Sequence, residues 1–345
     1  MLSEKNGKLL SIAIPCYNSQ EYVRRALDTV VPAGDRVEIL VVDDGSTDKT
    51  AEIAREYEEK YPDSVKYLYK ENGGHGDAVM FGAEHATGLY FRVLDSDDWL
   101  NTTNLNKMLD RLDEDRAAGE VYDMVLTNYV YEKVGCKHKK EIGYSSALPV
   151  EKKFTWDDTK KFNLGQNLLM HSIAYRREML MSCGLHLPKH TFYVDNLFAY
   201  YPLPFVKSIY YFNFDLYHYF IGRADQSVCE DQMIKRVDQQ VLIANTMYSM
   251  HDLKTIKSKK LRRYMAQYVA VISTIVSALY VRKGGKEAME AKKEFWSRVK
   301  ARYGSTYQEV CRLVKPIYFV RTTNWFTSFL INTGYVICRK IFHFN

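Results

Sequence analysis

Two short apolar runs constrain the fold of this chain more than any other feature of its sequence. They are residues 9–14 (LLSIAI) and 37–42 (VEILVV). Runs of this length that are rich in β-branched residues are typical of strands buried on both faces, as in a parallel sheet between helices. A helical pattern follows each run, and Ser19 is expected to cap the first helix, which extends to about Val30. This alternation predicts a doubly wound α/β sheet that is mixed but mostly parallel.

The same alternation continues to about residue 130, and the pattern becomes helical after residue 230. Further strands are predicted at residues 65–70 (VKYLYK), 89–94 (LYFRVL) and 122–132. Further helices are predicted at residues 51–61 and after the glycine-rich turn that begins at residue 71, with Gly88 ending the second of them. We therefore expect an α/β domain over residues 1–230 and a helical region over residues 231–345.

Polar stretches follow three of the predicted strands. They are residues 15–18 (PCYN), 43–48 (DDGSTD) and 95–99 (DSDDW). Ligands of doubly wound sheets bind outside the carboxyl ends of the strands. We therefore expect these three stretches to meet at one crevice.

The third stretch contains three carboxylates, Asp95, Asp97 and Asp98. Like charges at the end of a buried strand are unfavourable unless a cation lies close to them. Two hard oxygen ligands suit Mg²⁺ or Mn²⁺, and an ion with few protein ligands keeps positions open for phosphate oxygens. The alternative is a solvated turn, because Asp and Ser are common turn residues.

Four segments, in this order, resemble the family 2 glycosyltransferases that have the nucleotide-diphospho-sugar (GT-A) fold. The segments are residues 11–30 (SIAIPCYNSQEYVRRALDTV), 38–54 (EILVVDDGSTDKTAEIA), 71–100 (ENGGHGDAVMFGAEHATGLYFRVLDSDDWL) and 192–203 (FYVDNLFAYYPL). The resemblance covers roughly residues 9–228. It implies a metal-dependent enzyme that transfers a sugar, with inversion, from a UDP-sugar to a hydroxyl of a glycan or lipid-linked acceptor. Bacterial cell-surface glycans are the implied pathway type.

The resemblance also implies roles for individual residues. Asp43 or Asp44 would accept a hydrogen bond from uracil, although Asp44 could instead cap a helix. Asp97 would ligate the Mn²⁺ or Mg²⁺ together with Asp95, and His218 is a weaker third candidate that could equally be a packed side chain. The implied donor-binding set is Pro15, Tyr17, Asn18, Asp43, Asp44, Asn72, Gly73, Gly76, Asp95, Ser96, Arg223, Gln226 and Ser227.

The acceptor hydroxyl needs a base on the face of the sugar opposite the leaving group. The resemblance assigns this role to Asp195, which could also cap the helix that follows it. His171 is expected either to face the acceptor or to make a core contact. The role of His75, in the glycine-rich turn, is left open.

Two other functions remain as alternatives on the same fold, a nucleotidyltransferase and a non-catalytic nucleotide-sugar-binding protein. The first lacks the basic glycine-rich loop expected after the first strand. The second predicts a degraded acidic site, whereas Asp95, Asp97 and Asp195 are all present. A Rossmann dehydrogenase is disfavoured because Val79 replaces the third glycine of the fingerprint.

Composition limits the partners and the location. The net charge is +6, but no run of basic residues is dense enough to favour nucleic acid. The six cysteines have no CxxC spacing, and the polar first residues do not resemble a signal peptide, so a cytoplasmic protein is expected. The aromatic segment 324–345 suggests peripheral binding to the inner face of the plasma membrane. The alternatives are a helix packed on the catalytic domain and a homodimer contact.

Overall fold

The computed structural model describes residues 7–133, 135, 139–163, 166–221 and 229–342, with side chains up to residue 337. The chain divides into two compact units, residues 1–220 and 221–345. The boundary predicted from the sequence, between residues 230 and 231, lies ten residues after the observed one.

A mixed sheet forms the frame of the first unit, and ten strands belong to it among the described residues. The strands are β1 (Leu10–Cys16), β2 (Val37–Asp44), β3 (Val65–Lys70), β4 (Tyr90–Val93), β5 (Trp99–Leu100), β6 (Met124–Lys133), β7 (Lys140–Ile142), β8 (Lys153–Phe154), β9 (Ile173–Arg176) and β10 (Ile209–Ile221). Their order is β3-β2-β1-β4-β9-β6-β10-β5, with β7 beside β6 and β8 beside β10.

The first four strands of the chain run parallel to one another. β1 lies between β2 and β4, and β3 pairs with β2. Every residue of β1 and β2 is buried, as their continuous apolar sequences predict. The helices of this unit are α1 (Val23–Val30), α2 (Thr50–Lys60), α3 (His75–His85), α4 (Thr102–Ala117), α5 (Arg177–Ser182) and α6 (Asp195–Tyr200).

Antiparallel strands complete the sheet on the other side of β4. β9 pairs antiparallel with both β4 and β6, and the long strand β10 pairs antiparallel with the two-residue strand β5. In that pairing His218 lies opposite Trp99. The end of β10 is thereby placed beside the acidic stretch that precedes β5. The mixed α/β sheet and the helical C-terminal region agree with the predicted fold class.

Two local predictions were wrong. Ser19 does not cap α1, which begins four residues later at Val23. Its backbone N–H donates to the Thr50 hydroxyl at 2.8 Å, and its own hydroxyl lies 2.7 Å from that of Ser96, so it joins loops instead. Gly88 does not end α3, which stops at His85. Gly88 is required there because an added Cβ would lie 2.6 Å from the backbone nitrogen of Ser11.

The second unit is helical, as predicted. It contains α7 (Glu230–Lys235), α8 (Val237–Met250), α9 (Lys259–Lys283), α10 (Gly285–Arg302), α11 (Gly304–Leu313), α12 (Ile317–Arg321) and α13 (Trp325–Phe342). α9 is its core and contacts all six of the others. By length and composition α9 could cross a membrane, but 72% of its apolar window is buried inside the protein. It is therefore the central helix of a folded unit.

Candidate functional site

The loops after β1 and β2 are tied together at one edge of the sheet. The side-chain oxygen of Asn18 accepts a hydrogen bond from the backbone N–H of Thr47 at 2.9 Å, and the Asn18 N–H donates to the Ser46 hydroxyl at 3.0 Å. Asn72 reaches the same region, since its amide donates to the carbonyl of Asp44 at 2.9 Å. Tyr17, the residue before Asn18, is 57% exposed, whereas Pro15 is buried within β1. The predicted convergence of the strand ends is present.

Asp43 and Asp44, the predicted uracil acceptors, are both buried and bonded within the protein. The two carboxylate oxygens of Asp43 accept hydrogen bonds from the Ser46 N–H and the Tyr67 hydroxyl, each at 2.8 Å. The Asp44 carboxylate accepts hydrogen bonds from the backbone N–H groups of Gly73 and Gly74 at 2.9 and 2.8 Å. Neither residue caps α2. Asp44 holds the glycine-rich loop in place.

Lys70 adds a positive charge to this arrangement. Its ammonium lies 2.6 Å from Asp44 and 2.7 Å from Asp77, which is in the first turn of α3. An added Cβ on Gly73 would lie 2.0 Å from the Asp77 carboxylate. Only glycine therefore fits at position 73, because the ion pair occupies the space a side chain would need.

The glycine-rich loop also packs against the segment that leads to Asp195. The backbone N–H of His190 donates to the carbonyl of Gly73 at 2.7 Å. A Cβ on Gly74 would lie 3.0 Å from the His190 nitrogen, and one on Gly76 would lie 3.0 Å from both Leu187 and Val194. Gly73 and Gly76 belong to the predicted donor-binding set, whereas these contacts place both glycines against protein atoms.

The three carboxylates of the acidic stretch differ in their surroundings. Asp98 is fully buried, and its two oxygens accept hydrogen bonds from the Tyr217 hydroxyl at 2.5 Å and the Phe220 N–H at 2.7 Å. Burial raises the pKa of Asp98 well above its usual value, and the charges of Asp97 and Asp95 raise it further. Asp98 therefore fastens the end of β10 through these two hydrogen bonds. The cap of α4 is Asn101.

Asp95 faces two histidines. One carboxylate oxygen lies 2.8 Å from Nε2 of His75, and the other lies 3.9 Å from Nδ1 of His171. Burial lowers the pKa of His75, but the carboxylates of Asp95, Asp195 and Asp97 outweigh it and raise the pKa overall. The same His75 charge contributes to lowering the pKa of Asp95 against the effect of burial. The acidic stretch thus favours the charged form of His75.

His171 is 5% exposed and is stacked on the ring of Tyr217 at 4.7 Å between centroids. Burial lowers its pKa to about 4, so the ring is neutral at pH 7. Its Nδ1 atom is buried without a hydrogen-bond partner. This geometry places His171 beside Asp95 and gives it little open surface for an acceptor.

Asp195 is the first residue of α6 and is half-buried. Burial raises its pKa to about 6, the charge of His75 opposes this, and the charge of Asp95 adds to it. No side chain caps α6, so its carboxylate does not serve as a helix cap. The amide of Asn196 donates to this carboxylate at 3.3 Å. Asp195 is therefore a poised carboxylate within electrostatic range of Asp95, although the two are a hundred positions apart in sequence.

A family comparison agrees with this arrangement. Residues 11–180 match the protein family described as Glycosyl transferase family 2. Residues 11–180 form a family 2 glycosyltransferase domain. This range includes the acidic stretch and the glycine-rich loop.

Individual relatives are similar over parts of the chain. EpsH of Bacillus subtilis is 29% identical over 225 residues, which are 61% of this chain and 60% of EpsH. GgaB of the same organism, a minor teichoic acid biosynthesis protein, is 32% identical over 107 residues, which are 30% of this chain and 12% of GgaB. The chain therefore spans less than two thirds of the length of either relative.

The fold of the family 2 domain and its helical extension also occurs in a solved structure. Residues 1–349 of Staphylococcus aureus TarS, in complex with UDP-GlcNAc, superpose with a TM-score of 0.66 at 19% sequence identity, covering 95% of this chain and 91% of that one. At this identity the similarity establishes a shared fold. It confirms the predicted GT-A architecture.

The remaining predicted residues of the family 2 site are placed as follows. Ser96 is half-buried and its hydroxyl lies 2.7 Å from that of Ser19. His218 already has protein partners, since Nδ1 lies 2.8 Å from Glu132 and the ring stacks on Trp99. Three predicted donor contacts, Arg223, Gln226 and Ser227, lie outside the described residues.

Sequence reasoning missed two residues of the site. It left His75 without a role, although a histidine next to the glycines of the loop was a visible signal. It gave no role to Tyr217, and no local signal marks the bond of this residue to Asp98. That contact depends on the pairing of β10 with β5, which lie far apart in the sequence.

Proposed function

We propose that the protein is a metal-dependent, inverting glycosyltransferase that uses a UDP-sugar. The proposal rests on one observation. Asp195, which follows the matched residues 11–180, lies within electrostatic range of Asp95 and His75, which belong to the family 2 domain. In this proposal the carboxylate of Asp95 serves the leaving diphosphate, and the carboxylate of Asp195 serves the acceptor hydroxyl.

The residues around Asp95 fit a divalent cation. Asp95, Asp98 and His171 offer ligand atoms within 4.8 Å of one another. Asp98 fits poorly, because both its oxygens already accept hydrogen bonds. The unpartnered Nδ1 of His171 and the free side of the Asp95 carboxylate fit better, together with Asp97, whose charge acts on both His75 and Asp98.

We therefore assign Mn²⁺ or Mg²⁺ to Asp97 and Asp95, with His171 in place of the predicted His218 as the additional ligand. Carboxylate and imidazole ligands suit Mn²⁺, and carboxylates suit Mg²⁺. When bound, such an ion offsets the negative charge that develops on the diphosphate leaving group.

Asp195 acts on the acceptor. Its carboxylate takes the proton of the acceptor hydroxyl while that oxygen bonds to the anomeric carbon of the sugar. The bond from the anomeric carbon to the phosphate oxygen breaks, and UDP leaves with the electron pair. A pKa of about 6 leaves most of the carboxylate ionised at pH 7 and keeps it a better base than an ordinary Asp. Attack opposite the leaving group inverts the anomeric carbon.

The substrates are proposed from two supports. TarS was solved with UDP-GlcNAc, and GgaB takes part in teichoic acid biosynthesis. A UDP-sugar donor and a glycan or lipid-linked acceptor of the cell surface fit both.

The test follows UDP release from a panel of UDP-sugars with Mn²⁺, with Mg²⁺ and with EDTA. We expect slow, metal-dependent release from one donor, which an acceptor accelerates. Asp195→Asn should retain the UDP-induced rise in melting temperature but lose transfer, while Asp63→Asn, an exposed carboxylate elsewhere, should retain both. Formation of a nucleotide-sugar with release of pyrophosphate would identify a nucleotidyltransferase instead. Binding of UDP without turnover of any donor would identify a non-catalytic protein.

A further inference from the structure

The surface of α12 and α13 exposes an unusual number of large apolar side chains. We call this set the aromatic face. It consists of Phe319 (62% exposed), Trp325 (80%), Phe326 (56%), Phe329 (55%), Leu330 (42%) and Ile337 (50%). Single exposed apolar residues are common on soluble proteins, but a contiguous set of this kind marks an interaction surface.

The helical positions show that these residues share one side of α13. Residues 325, 326, 329, 330 and 337 recur at spacings of one, three, four and seven, which place them along one stripe of a helix. Within residues 325–337, where the side chains of α13 are described, Thr333 is the one further exposed position. The outward stripe of α13 is therefore almost entirely apolar.

Three polar side chains of α13 point the other way, into the second unit. Asn332 accepts a hydrogen bond from the Arg282 guanidinium of α9 at 3.0 Å. The Ser328 hydroxyl lies 3.9 Å from the sulfur of Met289 in α10, and Thr327 is buried and donates to the carbonyl of Thr322 at 2.9 Å. A helix that faced water would have the opposite arrangement.

The charge around the aromatic face has one sign. Residues 313–345 contain four basic residues and no acidic residue. The four are Lys315, Arg321, Arg339 and Lys340. Aromatic side chains with flanking Lys and Arg are the composition of segments that lie in the interface of an anionic membrane. An acidic protein partner would satisfy the charges but not the outward aromatic stripe.

We propose that the aromatic face inserts into the headgroup region of an anionic lipid bilayer. The bilayer takes up the six apolar side chains, and the positive charge of the segment attracts the lipid phosphates. The cytoplasmic leaflet of a plasma membrane presents such a surface. This surface belongs to the second unit, and the inference does not depend on the transfer activity.

The test is sedimentation of the full-length chain with vesicles. One set contains phosphatidylglycerol and phosphatidylethanolamine, and the other contains only phosphatidylcholine. We expect binding to the anionic set that weakens as salt rises, and quenching of Trp325 fluorescence by brominated lipids. Phe326→Ser/Phe329→Ser should weaken binding by roughly tenfold or more, because each exposed Phe loses its burial in the bilayer.

The matched control is Phe205→Ser/Leu242→Ser, which removes two exposed apolar side chains that lie elsewhere (40% and 46% exposed). The control should bind vesicles as the unaltered protein does, and both variants should keep its melting temperature. Equal loss of binding in the control would overturn the assignment to this face. Absence of binding to either vesicle type, with a dimer that Phe326→Ser/Phe329→Ser disrupts, would assign the face to a second copy of the chain.

Discussion

The backbone N–H of His190 donates a hydrogen bond to the carbonyl of Gly73 across 2.7 Å. This bond joins the glycine-rich loop, which Asp44 and Lys70 hold from the other side, to the segment that ends at Asp195. The position of the proposed base is therefore set by the same loop that follows the third strand. Changes in that loop should therefore appear as changes in catalysis.

Gly76→Ala tests this coupling. The added methyl group would lie 3.0 Å from Leu187 and Val194, so the segment before Asp195 must move. We expect kcat for transfer to fall roughly tenfold or more while the donor KM changes little, since small misplacements of a catalytic group are costly. Transfer kinetics at varied donor concentration measure both. Gly304→Ala, where an added Cβ meets nothing within 4 Å, is the control and should leave them unchanged.

The backbone of His190 gives a second test. His190 has φ of 48°, in the left-handed region that favours glycine. His190→Gly should therefore be more stable than His190→Ala by about 1 kcal/mol, because only alanine retains the steric penalty of that conformation. Chemical denaturation of the two variants measures the difference. An alanine variant as stable as the glycine variant would show that the segment relaxes to another conformation.

Asp97 and Asp98 are adjacent but should respond differently to the same substitution. Asp98→Asn can still accept from the Phe220 N–H and donate to the Tyr217 hydroxyl, so transfer and stability should be largely kept. Asp98→Ala leaves a buried N–H without a partner, which costs about 1–3 kcal/mol. Asp97→Asn should abolish the metal-dependent transfer. Melting temperatures, and transfer rates at several Mn²⁺ concentrations, test this contrast. Equal loss of activity in Asp97→Asn and Asp98→Asn would contradict it.

The rate of transfer should depend on the ionisation of Asp195. Because its pKa is raised to about 6, the carboxylate gains a proton as the pH falls through 6 and can no longer act as the base. We expect the rate to drop roughly tenfold per pH unit below that value. Initial rates from pH 4.5 to 8 at saturating donor and metal test this, and a flat profile through pH 6 would assign the base elsewhere.

The free energy of unfolding should also depend on the ionisation of Asp195, and the raised pKa fixes the sign of that dependence. The native pKa of Asp195, about 6, lies above the value of an unfolded Asp, about 3.9. Its contribution to stability is therefore fully present below pH 4 and is lost as the pH rises through 6, because the unfolded chain ionises more readily. The melting temperature of Asp195→Asn relative to the unaltered protein should rise between pH 4 and 7. Glu178→Gln, the same kind of substitution at an exposed carboxylate, should show no such rise.

The sequence predicts the parallel half of the sheet because its signals are local. The strands β1 and β2 are buried on both faces, and a strand of this kind appears in the sequence as a continuous apolar run. The convergence of the strand ends follows from topology alone. The position of Asp195 was predicted only through family resemblance, since nothing local separates it from a helix cap.

The roles that the sequence did not reveal are those set by distant partners. Asp98 becomes an anchor for the end of β10 because that strand brings Tyr217 and Phe220 to it. Gly76 is small because Leu187 and Val194 pack on it. Ser19 joins Ser96 and Thr50 and so is not available to cap α1. Each assignment requires the register of contacts between segments, which composition and periodicity do not contain.

The central helix of the second unit has a consequence for synthesis. α9 is long and apolar enough to resemble a membrane span, and the helices that cover it include α10 to α13, all of which follow it in the chain. As the polypeptide leaves the ribosome, α9 therefore emerges before most of its cover exists. During that interval it presents an apolar surface that chaperones or the insertion machinery of the membrane could bind. A stalled nascent chain from which α9 but not α10 has left the ribosome should be captured by such factors, and one from which α13 has also left should escape them.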